Sequence, residues 1–177
     1  MREHEPAIRP GEGALDSVAV LYDYSGRAAQ AVRRLKYERA TALGPWMGHA
    51  LYLFAGQVGL DRYDLIVPVP IHWSRLCLRG FNQSEMLAEE LGGVSASLLR
   101  FRKTKPQVGL SLEERLENLR GAFRASPEVE GHSVLIVDDV ITSGGTAREC
   151  AKALKDAGAL NVAAIAFCGA TPAQHVE

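Results

Sequence analysis

Thirteen consecutive residues, Val134 to Thr146, constrain this chain more than any other stretch. They read Val-Leu-Ile-Val-Asp-Asp-Val-Ile-Thr-Ser-Gly-Gly-Thr and run directly into a helical pattern. Four apolar, mostly β-branched residues in a row describe a strand buried on both faces, as in the interior of a parallel sheet. Two carboxylates, Asp138 and Asp139, stand at the strand's exit, the edge at which open parallel sheets bind ligands. Thr142, Ser143, Gly144, Gly145 and Thr146 then form a short loop ahead of a helix start, where unpaired N–H groups and the positive end of the dipole favour an anion. Amides and hydroxyls for a phosphate, with paired acids to accept hydrogen bonds from a vicinal diol, describe a site for a sugar phosphate such as ribose 5-phosphate. The plainer alternative is a capped βα turn with two solvated aspartates. The order of strand, acids, loop and helix over thirteen positions weighs against it.

The chain of 177 residues, with 47% apolar and 23% charged residues, is read as one domain with a sizeable core. Twenty basic and twenty-one acidic residues leave a net charge of -1, so there is no overall basic field to draw in nucleic acid. The start, Met-Arg-Glu-His-Glu-Pro, lacks the apolar core of a signal peptide, and no apolar run is long enough to span a bilayer; the expected location is the cytoplasm. Cys77, Cys150 and Cys168 form no CxxC pair, which points to reduced, mostly buried thiols.

In chain order, residues 1–15 read as a loosely held lead-in and 16–177 as the domain. Val18 to Tyr22 reads as a strand, and a helix from Ser25 carries Ala28, Ala31, Val32 and Leu35 on one face. A second helix from Pro45 towards Gly56 is expected to bury Trp46, Ala50, Leu53 and Phe54. Leu65 to Val69 is the next strand, closed by Pro70, and Ile71 to Gly80 reads as an irregular loop. Asn82 and Glu85 form a capping box, with Phe81 and Met86 as its staple, for a helix ending near Gly92. A strand over Ser97 to Phe101, a basic mobile loop around Lys103 and Lys105, and a short helix capped by Ser111 and Glu114 follow. The helix after the motif buries Ala147, Cys150, Ala151 and Leu154 and ends at Gly158, and Val162 to Phe167 is the last strand. Alternating strands and helices predict a three-layer α/β fold with a mainly parallel central sheet.

The stretch from Val134 to Thr146 resembles, at every position, the phosphoribosyl pyrophosphate (PRPP) motif of type I phosphoribosyltransferases. Val67-Pro68-Val69-Pro70, Arg79-Gly80-Phe81-Asn82-Gln83, and Lys103-Thr104-Lys105-Pro106-Gln107 with Arg115, Asn118, Gly121 and Phe123, narrow this to the ComF-type family, which Leu35-Lys36-Tyr37 also fits. The resemblance implies a type I phosphoribosyltransferase fold with a small hood over the site. It also implies a link to DNA uptake in competent bacteria and contact with a DNA-uptake or replication-restart protein. Many members carry an N-terminal four-cysteine metal-binding segment that these residues lack, so neither zinc binding nor a partner role resting on that segment is expected of them.

On this reading ribose 5-phosphate is held by Asp138, Asp139, Thr142, Ser143, Gly144, Gly145 and Thr146. Pyrophosphate is held by Pro70, Ile71, His72, Arg79, Lys103 and Lys105. Asp138, Asp139, Lys103 and Arg79 are the residues assigned to catalysis. The departing pyrophosphate needs positive charge and exclusion of water, which the basic loops would supply on closure. For His72 the alternative is a hydrogen bond within its own loop. Mg2+ would bridge PRPP and meet Asp138 and Asp139 only through substrate and water.

The resemblance implies that Thr142 stands where the purine-salvage enzymes that use hypoxanthine or guanine have an aspartate directed at the base; a threonine is no acid or base near neutral pH, so adenine, orotate or amine acceptors fit better. The leading expectation is an Mg-dependent transferase acting on PRPP and a small nitrogen nucleophile. The alternative is a module that senses PRPP or a nucleotide and regulates a DNA-processing partner without turnover. Direct DNA binding through Arg33, Arg34, Lys36, Arg102, Lys103 and Lys105 has no support from the net charge, and no membrane contact is expected. Oligomeric state is left open.

Overall fold

The computed structural model describes residues 8–92, 94–102 and 117–169. Their sheet has five strands in the order β1-β2-β7-β6-β3. These are β1 (Ile8–Pro10), β2 (Ser17–Asp23), β3 (Leu65–Pro68), β6 (Ser133–Ile141) and β7 (Asn161–Gly169). Only β1 runs antiparallel, pairing with β2 at the edge. Its residues belong to the segment expected to be a loose lead-in, and Leu15, just beyond, is buried.

The motif strand β6 is central, with Val134 to Val137 facing Leu65 to Pro68 on one side and Val162 to Ile165 on the other. Its alternate side chains enter two cores. Val134 and Ile136 join Ala147, Cys150, Ala151 and Leu154 of α5 (Gly145–Asp156). Leu135 and Val137 join Val32 and Leu35 of α1 (Gly26–Tyr37) and Met47, Leu51 and Phe54 of α2 (Leu43–Gln57). Helices on both faces of a mostly parallel sheet make the three-layer α/β fold, and they explain the unbroken apolar run. A separate antiparallel ribbon, β4 (Leu98–Arg100) with β5 (Phe123–Ala125), forms a small second sheet.

Three local expectations are corrected. The strand does not end before the acids: β6 continues to Ile141, so Asp138 and Asp139 lie within it, opposite the end of β7. Ile71 to Gly80 is not irregular throughout, because it contains α3 (Trp73–Arg79), closed by Gly80 at φ 85°. None of the residues of α3 is buried, so it has no apolar stripe to announce it. In α2 the large residues Trp46 and Leu53 are about half exposed, at 48% and 53%, and the buried face is Gly44, Met47, Gly48, Leu51, Phe54 and Ala55. Gly44 and Gly48 let α2 approach α4 (Gln83–Ala88): a Cβ on Gly48 would lie 2.8 Å from the Leu87 carbonyl.

The end of α5 follows its sequence signal closely. The Ala159 amide donates to Leu154 O and the Gly158 amide to Lys155 O, with Gly158 at φ 95°. Gly158→Ala is expected to cost about 1–2 kcal/mol in left-handed strain. Thermal unfolding should show that as a melting temperature lower by about 2–8 °C.

Candidate active site

The site lies where the carboxyl ends of β6 and β3 meet the amino end of α5. Gly144, at φ 71°, turns the chain from β6 into α5, and no side chain caps the helix's first amides. Thr142, Ser143, Gly144, Gly145 and Thr146 line a hollow of about 60 Å³ together with Asp138, Val140, Ile141, Ala147 and Leu119. That is room for an anion of a few heavy atoms, with the open end of a helix dipole directed at it. A wider cavity of about 310 Å³, lined by Tyr52, Tyr63, Leu65 and Ile66, sits against the amino ends of β3 and β6, and neither the acids nor the loop residues line it.

The two acids have different neighbours. Asp138 Oδ1 accepts hydrogen bonds from the Ser84 hydroxyl and from the Asp139 amide, both at 2.9 Å. Burial, and then the charge of Asp139, push Asp138 up to about 7, against the opposing pull of Lys36, Ser84 and the Asp139 amide. Asp139 Oδ2 lies 2.8 Å from Lys36 Nζ at the end of α1, an ion pair whose carboxylate is almost wholly buried. Burial disfavours the Lys36 charge, but Asp139 beside it wins and holds the ammonium above its ordinary range. Asp139 does not line the hollow.

Pro70, Ile71 and His72 occupy the connection from β3 to α3, at the same edge of the sheet. The His72 ring is placed by its own loop: Nδ1 accepts from the Ser74 amide at 3.2 Å and caps α3. Arg79 ends α3, donates to Gln83 Oε1 at 3.0 Å, and stands 5.4 Å from the centre of the Tyr37 ring. Gln83 adjoins Ser84, so the first turn of α4 links Arg79 to Asp138. Asn82 caps that turn by accepting from the Ser84 amide, and its Nδ2 donates to Val69 O at the end of β3. Lys103, Lys105 and the expected helix start at Ser111 and Glu114 lie outside the described residues.

Sequence reading missed Ser84, Gln83, Lys36 and Tyr37 as parts of this site. The first two fall in the first turn of a capped helix and look structural; Lys36 looked like one more surface cation. Of the three free thiols, Cys77 on α3 is exposed. Cys150 and Cys168 are buried, and burial followed by the Asp139 charge pushes Cys168 up to about 12.

The family model described as a phosphoribosyl transferase domain matches residues 79–176, a span that contains Arg79, both acids and the whole loop. The chain belongs to the phosphoribosyltransferase family. Among its relatives, the DNA utilization protein YhgH of Salmonella typhimurium is 35% identical over 156 residues, covering 82% of this chain and 69% of that one. Competence protein F of Haemophilus influenzae is 28% identical over 160 residues, covering 83% and 70%. The solved structure titled as the allosteric regulatory enzyme of purine biosynthesis is 24% identical, with a TM-score of 0.47. That likeness covers 70% of this phosphoribosyltransferase-family chain and 26% of the other. Among the described residues no helix is long and apolar enough to cross a membrane.

Proposed function

We propose that this chain transfers the phosphoribosyl group of PRPP to a small nitrogen nucleophile. One observation carries the reading: β6 delivers Asp138 to the rim of a hollow built from the Thr142 to Thr146 loop at the uncapped start of α5. The loop amides and hydroxyls hold the 5-phosphate, and Asp138 with Asp139 receives the ribose hydroxyls. Arg79, at the end of α3, supplies positive charge to the pyrophosphate held along the Pro70 and Ile71 connection, a task for which the sequence also offers Lys103 and Lys105. The nucleophile's lone pair forms the new bond to the anomeric carbon as the bond to pyrophosphate breaks, and its proton is lost to water.

Carboxylates and hydroxyls are hard oxygen donors, a set that fits Mg2+, and Asp138 and Asp139 would meet it through substrate and water. When bound, Mg2+ offsets charge on the leaving pyrophosphate. The test is pyrophosphate release from PRPP across a panel of bases and amines. Release that depends on one added acceptor is the expected result. No release with any acceptor, at any protein concentration, counts against turnover.

A second reading is favoured by Thr142, which offers no acid or base to an acceptor, and by relatives named for competence and DNA utilization. The chain would then sense PRPP and pass that state to a DNA-uptake or replication-restart protein. Calorimetric PRPP binding without turnover, with partner capture that changes with PRPP, selects this reading.

A further inference from the structure

The last turn of α1 touches both halves of the site with two adjacent residues. Leu35 is fully buried and fixes this turn in the core. Lys36 then places its ammonium on Asp139, and Tyr37 places its ring against the Arg79 guanidinium. Tyr37 is 71% exposed, so its ring contributes little to the core; its described ring contact is Arg79. Removing the Lys36 charge would leave Asp139, almost wholly buried, without its counter-charge.

We propose that Lys36 and Tyr37 are positioning residues, Lys36 for the ribose-binding half through Asp139 and Tyr37 for the pyrophosphate-binding half through Arg79. This rests on the PRPP reading above. It gives the Leu-Lys-Tyr stretch a task, because one rigid turn sets the spacing between the two ligand-binding groups. It also predicts that the two halves fail separately.

The test titrates the full chain with ribose 5-phosphate and with pyrophosphate, each with Mg2+, by calorimetry. Lys36→Met is expected to weaken ribose 5-phosphate about tenfold or more while pyrophosphate stays within about threefold. Tyr37→Leu is expected to do the reverse, weakening pyrophosphate by about 2- to 10-fold. Should Lys36→Met fold poorly, the double variant Lys36→Met with Asp139→Asn removes both charges. Its ribose 5-phosphate affinity should then match that of Asp139→Asn alone. Equal weakening of both probes by each variant, or no change in either, overturns the proposal while leaving PRPP binding intact. A wild-type chain that bound neither probe would overturn the PRPP reading and this inference with it.

Discussion

Asp138→Asn is expected to lose PRPP and ribose 5-phosphate while melting at a higher temperature than the wild type at pH 8. The loss follows from charge: each hydrogen bond from a ribose hydroxyl to a carboxylate is worth about 1.5–3 kcal/mol, or about 10- to 150-fold in affinity. The gain follows from burial. Asparagine still offers an Oδ1 to the Ser84 hydroxyl and to the Asp139 amide, so the local bonds survive without the charge. In the wild type the folded-state pKa is raised from 3.8 to about 7, so between those values the folded chain holds a proton that the unfolded chain has released. This group's contribution to stability is therefore fully present below about pH 4, declines as pH rises through 7, and levels off above it. The advantage of Asp138→Asn should hold steady from pH 8 to about pH 7 and then shrink towards pH 4, measured by denaturant unfolding at each pH. An advantage of constant size would refute the buried acid; unchanged ribose 5-phosphate affinity would refute its assignment to the sugar.

Legibility in the sequence tracked how much of each element's role was carried by its own side chains. β6 could be read because both its faces are covered, which forces the run Val134 to Val137 to be apolar throughout. α1 and α5 could be read because each buries one face at helical spacing. α3 could not, since it buries nothing. Within the site, the loop and the acids were visible because their order is itself the signal. Ser84, Gln83 and Lys36 were not, because their role depends on where α4 begins and α1 ends relative to β6, and no local pattern encodes that meeting. The same holds for Asp138 and Asp139: adjacency suggested one shared task, whereas tertiary packing gives one acid to Ser84 and the other to Lys36.

Leu51→Ala and Leu53→Ala should separate the face of α2 that its sequence suggests from the one its packing selects. The substitutions are chemically identical and two residues apart, yet Leu51 is fully buried and Leu53 is 53% exposed. Helical spacing of apolar residues pointed to Trp46, Ala50, Leu53 and Phe54 as the buried stripe. The packed face instead runs through Gly44, Met47, Gly48, Leu51 and Ala55, and keeps regular helical spacing with two of its members lacking side chains. Those glycines are small because α4 is there: a Cβ on Gly44 would lie 2.7 Å from Met86 Cε. The close approach turns Met47, Leu51 and Phe54 onto the sheet beneath Leu135, Ile165 and Phe167, leaving Trp46 at the edge with its ring 5.9 Å from that of Phe167. Truncating Leu51 should cost about 2–5 kcal/mol through lost burial and an unfilled cavity. For a chain of this size that lowers the melting temperature by about 4–20 °C. Leu53→Ala should stay within about 0.5 kcal/mol of the wild type. Equal losses for the two variants would mean that α2 is rotated from the orientation described, and α4, which carries Ser84 to Asp138, would be misplaced with it.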